Sequence, residues 1–379
     1  MEAIITLILI AILLALTIAA NIALRERERT LHYLVVVALG LLNAIIMIFG
    51  VLYIVIGISP DLAESMLETD IDPAYAFLGG VFFLITGLLA SILLIDRVRV
   101  AMSGWFPRLR QPEQFVATPS RSPFEGLMMR ADGSIIEMPP TLPEPPRRVV
   151  HRGELRGFDP HNTVHMLAMV LCVYLIGSQF ANFAVSGGIS GYADSAGVTW
   201  GDLILNFIPM IVIPIAGAGF LMRRSLGEVL ERLGFHRLTL ESIGVGIGVA
   251  IGAFVFAYII GIIWFLLVPA ELFKEQTEAS QAISDSIDTI WLVLAVSFTS
   301  SVGEEIAFRG ALQPIFGFWW TAILFTLVHI QYTLTPATII IFAVALGLGW
   351  VRRRYNLYAA ITAHFLYNFV QLILGLVFK

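Results

Sequence analysis

Lysine is nearly absent from this chain of 379 residues: Lys274 and Lys379 are the only two. Cysteine occurs once, at Cys172, and charged residues make up 13% of the total, about half the ~25% usual in soluble domains. Each shortage excludes something. A single cysteine rules out an internal disulfide framework and a Cys-rich zinc site. So few cations rule out a basic face for nucleic acid, and so little charge rules out an ordinary soluble enzyme or a disordered chain. What is present is apolar: 58% hydrophobic residues with 26 Phe and 7 Trp, at a mean hydropathy of +0.85. The composition points to an all-α, polytopic integral membrane protein whose first partner is the lipid bilayer.

A membrane-spanning helix needs about 20 mostly apolar residues. Ten runs qualify as candidates: Ala3–Leu24, Leu34–Ile58, Ala74–Ile95, Thr163–Val185, Leu203–Met222, Ser242–Pro269, Thr289–Phe316, Trp319–Leu334, Pro336–Val351 and Leu357–Val377. The first carries Glu2 and no basic residue ahead of a long apolar stretch, which reads as a retained span rather than a signal peptide. Loop charges alternate. Arg25, Arg27 and Arg29 make the first loop basic, and Ser59–Pro73 holds five acids and no base. The stretch after Asp96 is Arg-rich, Ser186–Asp202 has no base, and Arg223–Arg237 is basic. Glu271–Asp288 is mostly acidic, and Arg352, Arg353 and Arg354 close the series. By the positive-inside rule the protein is multi-pass in the cell membrane, with its amino terminus outside and the basic loops in the cytosol.

Residues 97–162 form the one long polar stretch, with ten Arg and the cluster Pro139, Pro140, Pro143, Pro145 and Pro146. It reads as a cytosolic linker, with a small hairpin expected around Asp132-Gly133. It divides the chain into an accessory bundle of three spans, 1–96, and a seven-span domain, 163–379. Gly244, Gly248 and Gly252 form a small-residue stripe that reads as a helix-packing face. No internal repeat is evident, which disfavours an inverted-repeat transporter.

The seventh run contains Glu304, Glu305 and Arg309 between apolar flanks. Each charge at mid-membrane costs at least roughly 2.5–3.5 kcal/mol on insertion scales, so three together imply a use. Glu305 and Arg309 stand four apart and can pair on one helix face, while Glu304 is rotated about 100° away and remains available. His329 follows in the next run, and His364 with Asn368, again four apart, in the last. Counting from a turn near Gly317 at about 1.5 Å per residue brings Glu304 and His329 to one depth, with His364 close to it.

Glu, Glu, Arg, His, His and Asn at one depth read as a water-filled site. No serine has a nucleophile-elbow setting, and Cys172 has no marker of activation. The set suits hydrolysis by water. Glu304 would accept the proton, His329 would position the water, and His364 with Asn368 would stabilise the oxyanion. A metal version stays open, with Glu304, His329 and His364 as three zinc ligands; the HExxH spacing is absent.

Glu304-Glu305-x-x-x-Arg309, Phe325-x-x-x-His329 and His364-x-x-x-Asn368, in order on successive helices, resemble the three motifs of the CPBP family. These are the CAAX prenyl endopeptidases and the Abi, or bacteriocin-processing, proteins. Gly347-Leu348-Gly349-Trp350 and Leu233-Gly234-Phe235 resemble its flanks, and the likeness extends over roughly 163–379. The resemblance implies an intramembrane endopeptidase acting on a peptide or membrane-protein substrate. It makes Glu304 the base acting with His329, His364 and Asn368 the oxyanion site, and Glu305 and Arg309 supporting residues. No cofactor is required on the glutamate-based reading, with zinc as the variant. A non-catalytic scaffold or immunity protein of the same fold is the competing function.

Overall fold

The computed structural model describes residues 2–26, 28–59, 72–108, 114–116, 127–129, 135–137, 149–151, 157–188, 191, 197–332 and 335–378. They fall into two compact units: Met1–Arg108 with Gly157–Lys379, and Leu109–Arg156. The first is helical. Its elements are α1 (Glu2–Glu26), α2 (Arg29–Ile58), α3 (Pro73–Ile92), α4 (Asp96–Met102), α5 (Thr163–Val185), α6 (Trp200–Gly217) and α7 (Leu226–Leu233). They continue as α8 (Leu240–Leu267), α9 (Ala270–Ser286), α10 (Ile290–Glu304), a π-helical stretch (Glu305–Leu312), α11 (Gln313–Phe316), α12 (Phe318–Leu327), α13 (Ala337–Arg354) and α14 (Leu357–Val377). The second unit carries two antiparallel ribbons. β1 (Gln114–Val116) pairs with β4 (Val149–His151), and β2 (Leu127–Met129) pairs with β3 (Ile135–Glu137). Met129 stands opposite Ile135, so the arms of the expected hairpin are present. Its Asp132-Gly133 turn lies outside the described residues, as does most of the acidic loop 59–73.

The helices start where the sequence offers a cap. Asp72 accepts from the Ala74 N–H with Pro73 in the first turn, Asn162 accepts from Val164 and His165, and Asn356 accepts from Ala359. Thr199 with Asp202 and Thr239 with Ser242 make reciprocal boxes at α6 and α8. Each cap satisfies amides that a helix start leaves without partners. Among the described residues eight helices are long and apolar enough to cross a membrane, so the chain is an all-α polytopic membrane protein.

The remaining two runs behave differently. α12 has ten residues, about 15 Å at 1.5 Å per residue, which is half of a ~30 Å bilayer core. It stops at Leu327 and a short 3₁₀ turn, Ile330–Tyr332, follows. α13 is 18 residues long but ends on Arg352, Arg353 and Arg354. Arg352 is buried and donates to the Leu233 carbonyl at 3.1 Å. The acidic segment after Glu271, read above as a loop, is mostly the helix α9.

α2 and α3 pack through glycine. A Cβ on Gly50 would lie 2.9 Å from the Gly80 carbonyl, and one on Gly80 would lie 2.6 Å from that of Gly50, so the backbones themselves are in contact. The stripe Gly244, Gly248 and Gly252 does not do this. A Cβ on any of the three meets nothing within 4 Å. The close approach of α8 is made by Gly246, where a Cβ would lie 2.7 Å from the Ala359 carbonyl of α14, on another face of the helix. The packing reading of that stripe is therefore corrected.

The first three helices pack within the same unit as the later ones. Asn21 of α1 donates to the Ala216 carbonyl of α6 at 3.0 Å. Asn43 of α2 accepts from the Tyr174 hydroxyl of α5. The flanks of the polar stretch join them: Arg99 is buried and donates to the carbonyls of Leu93, Leu94 and Pro160.

Candidate active site

α10 runs into the π-helical stretch at Glu304–Glu305. Such wide turns inside helices recur at functional sites because they re-aim side chains without ending the helix. The two carboxylates diverge there. Glu305 is fully buried and Glu304 is half-buried.

Glu305 Oε1 accepts from Arg309 Nη1 at 2.8 Å, so the pair expected from the four-residue spacing forms. The same oxygen meets His364 Nδ1 at 3.0 Å. Arg309 is also held from two other sides. Its Nη2 donates to the Ala345 carbonyl of α13 at 3.3 Å, and its guanidinium carbon lies 4.0 Å from the centre of the Phe325 ring. A buried cation on an aromatic face and against a carboxylate is well compensated. With a carboxylate as its partner, Nδ1 of His364 must carry a proton, which leaves Nε2 for other work.

His329 lies just past the end of α12. Its Nδ1 is 2.7 Å from the Phe325 carbonyl, an acceptor only, so Nδ1 is the protonated nitrogen and the neutral ring keeps a lone pair on Nε2. That Nε2 is 3.8 Å from Glu304 Oε2, too far for a direct hydrogen bond. Glu304 Oε2 is itself buried and has no hydrogen-bond partner in the protein, and the same holds for Glu305 Oε2. Two atoms 3.8 Å apart can both touch one water oxygen at about 2.8 Å.

Asn368 Nδ2 donates to Ser300 Oγ at 2.9 Å, linking α14 to α10. One of its two amide hydrogens is thereby used and the other stays available. The six singled-out residues therefore stand as one hydrogen-bonded group and two pairs: Arg309–Glu305–His364, Glu304 facing His329, and Asn368 with Ser300.

Phe325 joins the first two. Its ring lies 4.5 Å from that of His329, 6.0 Å from that of His364 and 5.2 Å from that of Phe308, besides carrying Arg309. Tyr332 stacks on His329 at 6.5 Å. Phe325 and Ser300 are contributors to which the sequence reading gave no role. One aromatic in an apolar run, and one hydroxyl among Ser297, Ser300 and Ser301, carry no distinguishing signal.

Among the described residues no three His, Cys, Asp or Glu side chains gather to hold a metal ion. His364 is turned to Glu305, and His329 to Glu304. The three-ligand set Glu304, His329 and His364 does not fit a zinc centre in this arrangement, and no step below runs through a metal.

Comparison with curated proteins and with solved structures finds no match to the chain. A family model does match, over less than a quarter of the chain, a narrower span than the 163–379 of the motif resemblance. Residues 286–370, which contain all six singled-out side chains, match the type II CAAX prenyl endopeptidase family, Rce1-like, consistent with the CPBP family.

Proposed function

We propose that the protein hydrolyses a peptide bond of a membrane-embedded peptide or membrane-protein segment, using water activated at Glu304. The observation that carries this reading is the buried, unpartnered Glu304 Oε2 at 3.8 Å from His329 Nε2. A water touching both atoms is oriented by His329 and loses its proton to Glu304 as its oxygen attacks the carbonyl carbon. The tetrahedral oxyanion then accepts from the spare Asn368 N–H and from His364 Nε2. Because Nδ1 of His364 already donates to Glu305, a donor at Nε2 requires the ring to carry two protons. Glu305 orients that ring, and Arg309 orients Glu305. Glu304 returns the proton to the leaving amine and the C–N bond breaks. The bilayer side on which the basic loops lie is assigned to the cytosol, and the amino terminus to the outside.

The test is cleavage of transmembrane and prenylated peptides by the purified protein in lipid. The reading expects His329→Ala to lose activity by roughly 10²–10⁴, the usual size of a general-base contribution, and a chelator to leave the rate unchanged. Cleavage by His329→Ala at the wild-type rate removes the assignment. Loss on chelation with rescue by zinc replaces it with a metal mechanism.

A further inference from the structure

The turn between α6 and α7 builds a second polar feature, away from the six residues above. It runs from Ala218 to Arg224 and is tied to itself: the amides of Met222, Arg223 and Arg224 all donate to the Gly219 carbonyl, and Arg224 Nη1 donates to that of Ala218. It is also tied to α1. Arg25 Nη1 donates to the Met222 carbonyl at 2.9 Å, and Arg223 Nε donates to the Asn21 amide oxygen at 2.9 Å. Between these lies an open recess of about 510 Å³, lined by Arg25, Leu221, Met222, Arg223, Arg224 and Ser225.

Three arginines therefore converge on one recess, and none of them forms an ion pair among the described residues. Each contact just named uses one of the five N–H donors that a guanidinium carries. The nearest acid on α7, Glu228, has its carboxylate on the Ser225 N–H and hydroxyl and meets Arg224 only through a longer-range attraction. Glu26 and Glu28, beside Arg25, form no ion pair with the cluster. Crowding raises the energy of the arrangement, since burial and the neighbouring Arg224 and Arg232 bring the Arg223 guanidinium down to about 10. Such a cluster is offset by an anion, and forked guanidinium donors match phosphate oxygens.

Leu221 identifies the kind of anion. It has a left-handed backbone, φ 61°, the only non-glycine with positive φ among the described residues, and its side chain is 83% exposed. A bulky apolar residue held in a strained conformation and presented outward beside three arginines fits an amphiphilic ligand. We propose that this recess binds the phosphate of an anionic phospholipid headgroup, with Arg25, Arg223 and Arg224 on the phosphate and Leu221 among the acyl chains. Basic pockets between membrane helices recognise such headgroups by the same chemistry. Bound there, the lipid bridges α1 to the α6–α7 turn.

Native mass spectrometry of the full chain in mild detergent, titrated separately with phosphatidylglycerol, phosphatidylcholine and inorganic phosphate, tests this. The wild type is expected to retain phosphatidylglycerol over phosphatidylcholine. The double variant R25Q/R224Q should lose phosphatidylglycerol affinity on the order of tenfold or more, at roughly fivefold per arginine. R25K/R224K should keep part of it, and Arg354→Gln, which removes an exposed charge elsewhere, should keep all. Leu221→Gly relieves the strained φ, keeps the fold, and should weaken the lipid while sparing the charges. Equal binding by wild type, R25Q/R224Q and Leu221→Gly overturns the proposal. So does an equal loss in Arg354→Gln, which reduces the effect to bulk charge. Saturation by inorganic phosphate with no lipid preference assigns the recess to a free phosphate and overturns the lipid.

Discussion

Arg309 sits with its charge away from water on every side, against Glu305, the Ala345 carbonyl and the Phe325 ring. Replacing it with Met leaves Glu305 as a buried carboxylate without its cation, a loss of about 3–5 kcal/mol for a broken buried pair. The unfolding midpoint in detergent should therefore fall sharply for Arg309→Met; a midpoint equal to wild type contradicts the buried-pair account. Asn368→Ala is the opposite case. It should leave the midpoint close to wild type and lower kcat by roughly 10²–10³, the usual cost of one oxyanion donor. A large fall in stability with kcat intact would make Asn368 a structural link to Ser300 instead. The Glu305–Arg309 pair was legible in the sequence because spacing along a helix fixes which side chains share a face. That His364 turns to Glu305 was not, since spacing on α14 says nothing about the neighbour it meets. Phe325 was quoted only as part of a motif, and its position beside Arg309, His329 and His364 depends on contacts across elements.

Among the elements, α12 shows best how a functional side chain shapes its own helix. The His329 amide bonds to the Thr326 carbonyl, and the His329 ring takes the Phe325 carbonyl that a further helical amide would occupy. The side chain thus caps the helix that carries it. No proline or charge marks that stop, so an uninterrupted run to Leu334 was the natural reading of the sequence. The caps at Asp72, Asn162, Thr199, Thr239 and Asn356 were of the opposite kind, written as residue types at the ends of apolar runs. At α7 the Ser225 N–H and hydroxyl hold the Glu228 carboxyl below the usual carboxylate range. Its contribution to stability is therefore present above the ordinary carboxylate range, and is lost as pH falls from that range through its depressed pKa. Glu228→Gln should lower stability in the neutral region and leave the most acidic region little changed, so that the acid limb flattens, measured by thermal unfolding across that range; an unchanged acid limb rejects the cap. Glycine spacing misled at α8, because a small-residue stripe does not say which way it faces. Gly50→Ala should cost about 1–3 kcal/mol by overpacking against backbone, whereas Gly248→Ala, facing open space, should stay within about 0.5 kcal/mol. Equal effects of the two substitutions on the unfolding midpoint would contradict the packing assigned to α2 and α3.

Across the whole molecule, the proposed direction in the bilayer rests on the charges excluded from the apolar runs. The Cys172→Ser background makes single-cysteine labelling clean, because Cys172 is the only native thiol. A cysteine at Arg354 should react with an impermeant reagent only from the cytosolic side, and one at Glu271 only from outside. The reverse pattern inverts the topology. The composition made the membrane class legible, and the order of motifs made the region 286–370 legible as CAAX-protease-like. The packing of the first three helices with the later ones was not legible, because it rests on buried amides such as Asn21 and Asn43 that have no pattern along the chain.

The central claim is that Glu304 activates the water. Its most direct measurement is single-turnover cleavage of a transmembrane peptide by the reconstituted full chain, wild type against Glu304→Gln, with the unfolding midpoint recorded for both. The account predicts equal midpoints and a rate lowered by roughly 10²–10⁴. Equal midpoints with an undiminished rate would contradict it.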